Sequence, residues 1–223
     1  MKTFSIAIDG PAGAGKSSVA KAVANKLGAH TINTGAMYRA IALYMLRCGV
    51  DVSDEEAVTA KLDEPVITIS HDNDGEQITY LNGEDVSSII RSPECSAASS
   101  TVSALPAVRQ RMVALQRKIA EGINLVMDGR DIGTTVLPDA TVKIFLTASP
   151  EVRAKRRVGE YAEKGEVVDF EDTLMDIIER DYQDSHREVS PLTKAKDAIL
   201  LDSSDMNIAQ VVNRILEIAR ARI

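Results

Sequence analysis

The sequence is poor in the residue types that build stacking surfaces, metal centres and disulfide cross-links. Its 223 residues include no tryptophan, 4% aromatic residues, three histidines and two cysteines. So few aromatic rings argue against a platform on which nucleic-acid bases stack, and the scattered histidines argue against a histidine-based metal site. Cys48 and Cys95 lie far apart and lack metal-ligand spacing, so we expect two reduced and mostly buried thiols.

The sequence also lacks a long apolar run and an excess of basic residues. No run approaches the ~20 residues of a membrane span, and the N-terminal run from Phe4 to Ile8 is too short for a signal-peptide core. With 26 Lys and Arg against 33 Asp and Glu, the formal net charge is −7, which is unfavourable for binding duplex nucleic acid. We therefore expect a cytoplasmic protein that binds neither nucleic acid nor membranes and holds anionic ligands with local basic clusters.

Strand and helix patterns alternate along most of the chain. The apolar run from Phe4 to Ile8 predicts a strand, and Val19, Val23 and Leu27 repeat every four residues in the helix that follows. Further strands are predicted at 31–33, 125–127, 142–146 and 198–201, and further helices begin near Thr34, Ser53, Pro106, Ser149, Asp169 and Ile208. This alternation predicts an α/β fold, with a parallel sheet covered by helices on both faces.

Residues 63–93 have a different pattern. Two runs of mostly polar and β-branched residues, 66–70 and 77–81, flank an Asp-Asn-Asp-Gly turn, and Asn82-Gly83 follows the second run. We interpret this stretch as a small antiparallel β insert.

The turn between the first strand and the first helix carries a phosphate-binding pattern. It matches G-x-x-x-x-G-K-[ST] at every fixed position, and its residues are Gly10, Pro11, Ala12, Gly13, Ala14, Gly15, Lys16 and Ser17. Glycines let the backbone N–H groups point at phosphate oxygens, and the helix N-terminus adds partial positive charge. We expect Lys16 to reach the β- and γ-phosphates of a nucleoside triphosphate, Ser17 to ligate Mg²⁺, and Ser18 to bind the nucleotide beside them.

A P-loop by itself does not distinguish a kinase from a switch GTPase or a motor ATPase. The guanine-specific N-K-x-D motif is missing, because Asn25-Lys26 lacks the aspartate and falls inside the first helix. A nucleotide kinase must also hold a second polyanion. That task requires arginines outside the P-loop, since arginine binds phosphate bidentately and stays charged.

Two segments at strand ends offer such arginines. Thr34-Gly35-Ala36-Met37-Tyr38-Arg39 begins a helix, and it could bind an anion or be a capped helix with a surface arginine. Asp128-Gly129-Arg130-Asp131-Ile132-Gly133 follows a buried strand, and it fits either a ligand crevice of an open α/β sheet or a polar turn with an internal ion pair. Asp128 also resembles the aspartate that orients Mg²⁺ in P-loop enzymes.

Two predicted helices carry further basic residues. Arg180, Asp184 and Arg187 share one helix face, either as ligands or as a solvated ladder of ion pairs. The helix that begins near Ser149 and the loop after it carry a second group: Arg153, Arg156, Arg157, Tyr161, Lys164 and Gly165. A basic helix turning into a loop favours a lid that closes over ATP, although a solvated helix face gives the same pattern.

Together these segments resemble the bacterial cytidylate kinases, a family of nucleoside monophosphate kinases, over essentially the whole chain. The resemblance is carried by Ile8-Asp9-Gly10-Pro11, Thr34 to Arg39, Asp128 to Gly133, Glu179-Arg180-Asp181, Ser190-Pro191-Leu192 and Leu201-Asp202-Ser203. It implies a P-loop core (1–33, 104–150 and 190–223), a nucleoside monophosphate-binding part (34–103) that contains the insert, and a lid with its flanking helices (151–189). We also expect a monomer.

The resemblance further implies transfer of the γ-phosphoryl group of ATP to CMP or dCMP with Mg²⁺. The residues that would bind the acceptor are Thr34, Arg39 and Arg130 for its phosphate, Ser100, Arg109 and Asp131 for the cytosine edge, and Arg180, Asp184 and Arg187 for ribose and phosphate. On the donor side, Arg157 would belong to the lid and Ser203 would lie beside adenine. Lys16, Arg130 and Arg187 would neutralise charge during the transfer.

One position departs from the family pattern. Asn33 stands where an aspartate usually precedes Thr34-Gly35. If that carboxylate only shapes the loop, the amide can still accept a hydrogen bond; if its charge matters for an arginine, the affinity for the acceptor would be weaker.

Two other interpretations of the whole sequence remain: a P-loop kinase for UMP or a non-nucleotide acceptor, and a nucleotide-binding switch whose basic residues contact a protein.

Overall fold

The structure, a computed structural model, describes residues 3–163 and 165–223. Lys164, named above in the lid loop, lies outside the described residues. In chain order the elements are β1 (Ser5–Asp9), α1 (Lys16–Leu27), β2 (His30–Asn33), α2 (Thr34–Arg47), α3 (Glu55–Lys61), β3 (Ile67–His71), β4 (Gln77–Leu81), β5 (Glu84–Asp85), a 3-10 turn (Ile89–Arg91), α4 (Pro93–Val102), α5 (Pro106–Ala120), β6 (Leu125–Gly129), a π turn (Ile132–Val136), β7 (Val142–Thr147), α6 (Pro150–Glu163), α7 (Phe170–His186), β8 (Ile199–Asp202) and α8 (Ile208–Arg220).

The main sheet has the order β2-β6-β1-β7-β8, and each of these pairings is parallel. Because successive side chains of a strand point to opposite faces, Ile6 and Ile8 pack with α1 and α8, whereas Ala7 packs with α2, α4 and α5. Helices therefore cover both faces, which confirms the predicted α/β fold. The carboxyl ends of β1, β2 and β6 meet at one edge of the sheet, where ligands bind in open α/β folds.

The insert is a second sheet of antiparallel strands in the order β3-β4-β5, as predicted. Asn82 and Gly83, with φ angles of 51° and 86°, form the two-residue turn between β4 and β5. No element was predicted for 93–102, where the structure has α4. Ser92 caps this helix by accepting a hydrogen bond from the Cys95 N–H at 3.1 Å, and α4 packs on α2.

Three local features refine the sequence analysis. The cap of α3 is Asp54, whose carboxylate accepts from the Ala57 N–H at 3.0 Å, and not Ser53. Cys48 and Cys95 are free thiols as expected, but Cys48 is exposed and only Cys95 is buried. Among the described residues, no helix combines the length and the apolar character that a membrane crossing requires.

Candidate active site

The P-loop joins β1 to α1 and packs tightly against β7. A Cβ atom built on Gly10 would lie 1.9 Å from the Leu146 carbonyl oxygen, so only glycine fits there. Lys16 is 6% exposed, and its Nζ donates to the Pro11 carbonyl at 2.6 Å. Burial, reinforced by the charge of Arg130, lowers the pKa of Lys16. A phosphate in the loop would supply the negative charge that this buried ammonium needs.

Ser17 lies at the centre of a short chain of hydrogen bonds beside the P-loop. Its Oγ donates to Asp128 Oδ2 at 2.8 Å and accepts from Asn33 Nδ2 at 2.7 Å. Asp128 is buried, and burial raises its pKa although the bond from Ser17 and the charge of Lys16 oppose this. The described residues hold no group of three or more His, Cys, Asp or Glu side chains that could bind a metal ion. The pair Ser17–Asp128 nevertheless offers two hard oxygen ligands next to the phosphate site.

The loop after β6 is held by the residue that precedes the P-loop. Asp9 accepts hydrogen bonds from the main-chain N–H groups of Ile132 and Gly133, both at 2.7 Å. Burial raises the pKa of Asp9 to about 6, although these two bonds oppose the rise. A single carboxylate therefore fixes the P-loop against the turn that follows Arg130 and Asp131.

Three segments that the sequence analysis treated separately meet in one network of charged side chains. Arg109, only 2% exposed, forms an ion pair and hydrogen bond with Asp131. Arg130 Nε donates to Asp184 Oδ2 at 2.7 Å, and Arg187 lies 3.7 Å from each of the two carboxylates. Although burial opposes it, the charge and hydrogen bond of Arg130 lower the pKa of Asp184. The face formed by Arg180, Asp184 and Arg187 is therefore not a solvated ladder.

Two further arginines, Arg39 and Arg180, reach the same network of charged side chains. Within the described part of the chain, the Nε atoms of Arg39 and Arg180 are buried and have no hydrogen-bond partner. Burial, followed by the charge of Arg130, lowers the pKa of Arg180 to about 10. Burial also lowers the pKa of Arg39. Buried N–H groups without a hydrogen-bond partner are costly, and a polyanion could accept from these two.

These groups line one cavity of about 380 Å³ between the P-loop, α2, α4, the loop after β6, α6 and α7. The predicted site residues on its lining are Ala12, Gly13, Gly15, Lys16, Ser17, Ser18, Thr34, Arg39, Arg109, Arg130, Asp131, Arg157, Arg180, Asp184 and Arg187. Among the described lining residues, cationic side chains outnumber carboxylates. This charge balance suits two nucleotides with adjacent phosphates.

The remaining predicted site residues lie elsewhere. Gly10 and Ala14 are packed inside the P-loop, and Pro11 lines a neighbouring cavity of about 410 Å³. Ser203 is buried, donates to the Thr147 carbonyl at 2.9 Å, and is not among the described residues that line the site cavity of about 380 Å³. Ser100 is likewise not on that lining, so its role in reading the base stays a prediction.

The lining also includes residues to which the sequence analysis gave no role. They are Tyr38, Ser96, Ser99, Ser103 and Glu160. The three serines share one face of α4 and its C-terminal end, a helical spacing that could have drawn attention to them. Tyr38 was quoted within its motif, and the Arg109 guanidinium lies 5.6 Å from the centre of its ring.

Of the three arginines predicted on the lid helix, Arg157 alone is on the described lining of the site cavity of about 380 Å³. Arg153 is buried and bonds to the Ala148 and Ala12 carbonyls and to Asp181. Arg156 Nη2 donates to the Ser203 carbonyl at 2.6 Å. Arg153 and Arg156 therefore attach the helix to the P-loop core, and the solvated-face interpretation is wrong for both.

Comparison with known proteins gives a consistent result. Residues 6–221 match a family model described as cytidylate kinase. The chain is 53% identical to a cytidylate kinase of Lactobacillus gasseri over 97% of its own length and 94% of that protein. It is 52% identical to a cytidylate kinase of Caldanaerobacter subterraneus subsp. tengcongensis, over 98% and 95%. The structure of a gluconokinase from Sinorhizobium meliloti is similar in fold, with a TM-score of 0.50 at 17% identity over 98% of this chain and 93% of that one.

Proposed function

The chain belongs to the cytidylate kinase family, and from that premise we propose how its residues divide the work of the reaction. The enzyme transfers the γ-phosphoryl group of ATP to CMP or dCMP and gives ADP with CDP or dCDP. The observation that carries the division of roles is that the P-loop and the arginine–aspartate network line the same cavity.

The donor side is the P-loop, in which the residues from Gly10 to Ser18 bind the triphosphate and Lys16 reaches its terminal phosphates. Arg157 on α6 faces the same cavity and lies on the ATP side. We assign Ser203 to the surroundings of adenine through Arg156, to which its carbonyl is bonded.

Mg²⁺ belongs to this proposal, with Ser17 and Asp128 as the residues that would hold it. Their fit rests on two adjacent oxygen groups, one of them a carboxylate that is buried beside Lys16. When bound, Mg²⁺ neutralises charge on the phosphates and keeps several water ligands. Asn33 keeps the Ser17 hydroxyl turned towards Asp128 by donating to its oxygen.

The acceptor side is the arginine–aspartate network. Thr34, Arg39 and Arg130 hold the CMP phosphate, and Ser100, Arg109 and Asp131 read the cytosine edge. Arg180 and Asp184 face the ribose, with Arg187 between the base-reading and phosphate-binding groups. Asp131 and Asp184 are both within reach of Arg187, so occupation of the base site and alignment of the phosphate would be coupled.

The chemical step needs no covalent intermediate on the protein. An anionic oxygen of the CMP phosphate attacks the γ-phosphorus, and the bond from that phosphorus to the bridging oxygen of ADP breaks. Lys16, Arg130 and Arg187 neutralise the charge that moves to ADP, and alignment supplies the rest of the catalysis. Loss of one such group would cost roughly 3–4 kcal/mol of transition-state stabilisation.

The proposed division of the chain into three parts follows from these donor and acceptor roles. The P-loop core comprises 1–33, 104–150 and 190–223, the nucleoside monophosphate-binding part is 34–103, and the lid with its flanking helices is 151–189. We further propose a cytoplasmic monomer that binds neither nucleic acid nor membranes; the net charge of −7 supports this for nucleic acid. Light scattering on the purified protein tests the monomer.

An acceptor panel tests the proposed reaction. ADP release from ATP and Mg²⁺ is measured in a coupled assay with CMP, dCMP, UMP, AMP and GMP in turn. We expect release with CMP and dCMP and little with the purine nucleotides. Turnover with UMP but not CMP would overturn the acceptor, and ATP consumption that needs no monophosphate would favour a nucleotide switch.

A further inference from the structure

The β insert contacts the P-loop core as well as the acceptor part of the chain. The turn between β3 and β4 lies on α1, where Lys21 forms an ion pair with Glu76 at 2.5 Å. The His71 ring Nε2 lies 2.6 Å from the Thr31 carbonyl, and Thr31 Oγ1 donates to the Gly75 carbonyl at 3.4 Å. The hairpin therefore covers the edge strand β2 and is fixed to the element that ends at Asn33.

Gln77, the first residue of β4, bonds to Asn33, the last residue of β2. Its side-chain Oε1 accepts from the Asn33 main-chain N–H at 2.8 Å. Its Nε2 donates to Thr79 Oγ1 at 3.2 Å and, more weakly, to the Asn33 carbonyl at 3.4 Å, and these bonds fix the orientation of the amide. The insert thus holds the main chain at the junction of β2 and α2.

The Asn33 side chain continues this contact to Ser17. Asn33 Oδ1 accepts from the Ala36 N–H at 2.8 Å, so its Nδ2 must face Ser17 Oγ, to which it donates at 2.7 Å. The Ser17 hydroxyl hydrogen then points to Asp128 Oδ2 at 2.8 Å. The directions of the bonds are consistent only with an amide at position 33, because a carboxylate could not donate to Ser17.

We propose that Gln77 is a positioning residue through which the insert holds Asn33, and through Asn33 the Ser17–Asp128 pair that binds the metal of the metal–ATP complex. This inference rests on the proposed function of Ser17 and Asp128. It assigns the insert a role in donor binding, in addition to any part in closing over the acceptor.

The test is the affinity of the enzyme for ATP with and without Mg²⁺, measured by titration calorimetry without acceptor, so that turnover does not enter. Gln77→Ala removes the acceptor for the Asn33 N–H, which is the stronger of the two bonds from Gln77 to the Asn33 main chain. We expect it to raise the Kd of ATP in Mg²⁺ about 3- to 10-fold, the effect of one hydrogen bond. The Kd of ATP in EDTA should change less than about twofold, since the P-loop N–H groups and Lys16 remain.

Two variants of the insert serve as rescue and control. Gln77→Glu keeps an oxygen that accepts from the Asn33 N–H but loses the weak bond to the Asn33 carbonyl, so it should recover part of the loss and give a Kd in Mg²⁺ below that of Gln77→Ala. Glu84→Gln breaks the Arg47–Glu84 ion pair at the opposite end of the insert sheet and should leave both Kd values unchanged.

The outcomes separate this inference from the proposal on which it rests. Ser17→Ala should weaken ATP binding in Mg²⁺ selectively; if it does not, the metal assignment fails and the inference fails with it. If Ser17→Ala weakens binding but Gln77→Ala matches the parent, Gln77 has no positioning role. Gln77→Ala would contradict the inference if it weakened ATP binding equally in Mg²⁺ and in EDTA. Glu84→Gln would contradict it by weakening ATP binding as much as Gln77→Ala does. In either case the insert would act only on overall stability.

Discussion

Asp9→Asn should remove a pH dependence of stability that one buried carboxyl group produces. Asp9 is 4% exposed, and burial raises its pKa from the ordinary value of 3.8 to about 6. A group whose pKa is higher in the folded chain stabilises the fold when protonated, so this contribution is complete below about pH 3.8 and is lost as the pH rises through about 6. The full contribution is about 3 kcal/mol at about 1.4 kcal/mol per pKa unit.

The assay is urea unfolding of both proteins at a series of pH values between about 4.5 and 8. Subtracting the free energy of unfolding of Asp9→Asn from that of the parent cancels the other titrating groups, which the two proteins share. From pH 7 to pH 4.5 the parent should gain roughly 2 kcal/mol over the variant. A difference that stays constant would refute the reasoning, because it would mean that the bonds from Ile132 and Gly133 outweigh the cost of burial.

The same variant has a consequence for activity. Asparagine places an NH₂ group, which cannot accept, where one of the two carboxylate oxygens of Asp9 now accepts an N–H, so the turn after Arg130 and Asp131 should lose part of its support. We expect the KM for CMP to rise about 3- to 10-fold, the effect of one lost hydrogen bond. An unchanged KM for CMP would argue against this coupling between the P-loop and the acceptor residues.

Three other substitutions test separate parts of the site. Lys16→Ala should lower kcat with CMP or UMP at least ~100-fold without changing the circular dichroism spectrum, and turnover above about a tenth of the parent would contradict its role. Asp131→Ala should erode the preference for CMP over UMP in kcat/KM, because it removes the carboxylate paired with Arg109; an unchanged preference would contradict the base contact. Asn33→Ala should lower the free energy of unfolding by about 1 kcal/mol through loss of the cap on α2, and unfolding identical to the parent would show that water replaces the cap.

Sequence patterns predicted elements and motifs well where the signal is local. The P-loop, the alternating strands and helices, and the start of α6 at Ser149, whose Oγ accepts from the Val152 N–H at 3.3 Å, all depend on residues within a few positions of one another. Local patterns also misled at two points: Asp54 rather than Ser53 caps α3, and α4 was missed. The sequence of α4 is rich in serine and alanine, so this helix has only a weak apolar stripe.

The interpretation of the basic segments could not be completed from local patterns. Arg153, Arg156 and Arg157 look equivalent on a helix, yet the first two are bonded to Ala148 and Ser203 and the third faces the cavity. Periodicity gives the angle of a residue around its own helix axis, but not which neighbouring element that direction meets.

By itself, the sequence determined the P-loop, the α/β class and, through the family resemblance, the acceptor. Only the tertiary structure decided that Arg109, Asp131 and Arg187 form one network, and that Asn33 joins Ser17 to Gln77 of the insert. The physical reason is that hydrogen bonds and ion pairs depend on distances of about 3 Å. Such distances between residues far apart in the chain are set by how the sheet and helices pack, and no short stretch of sequence contains them.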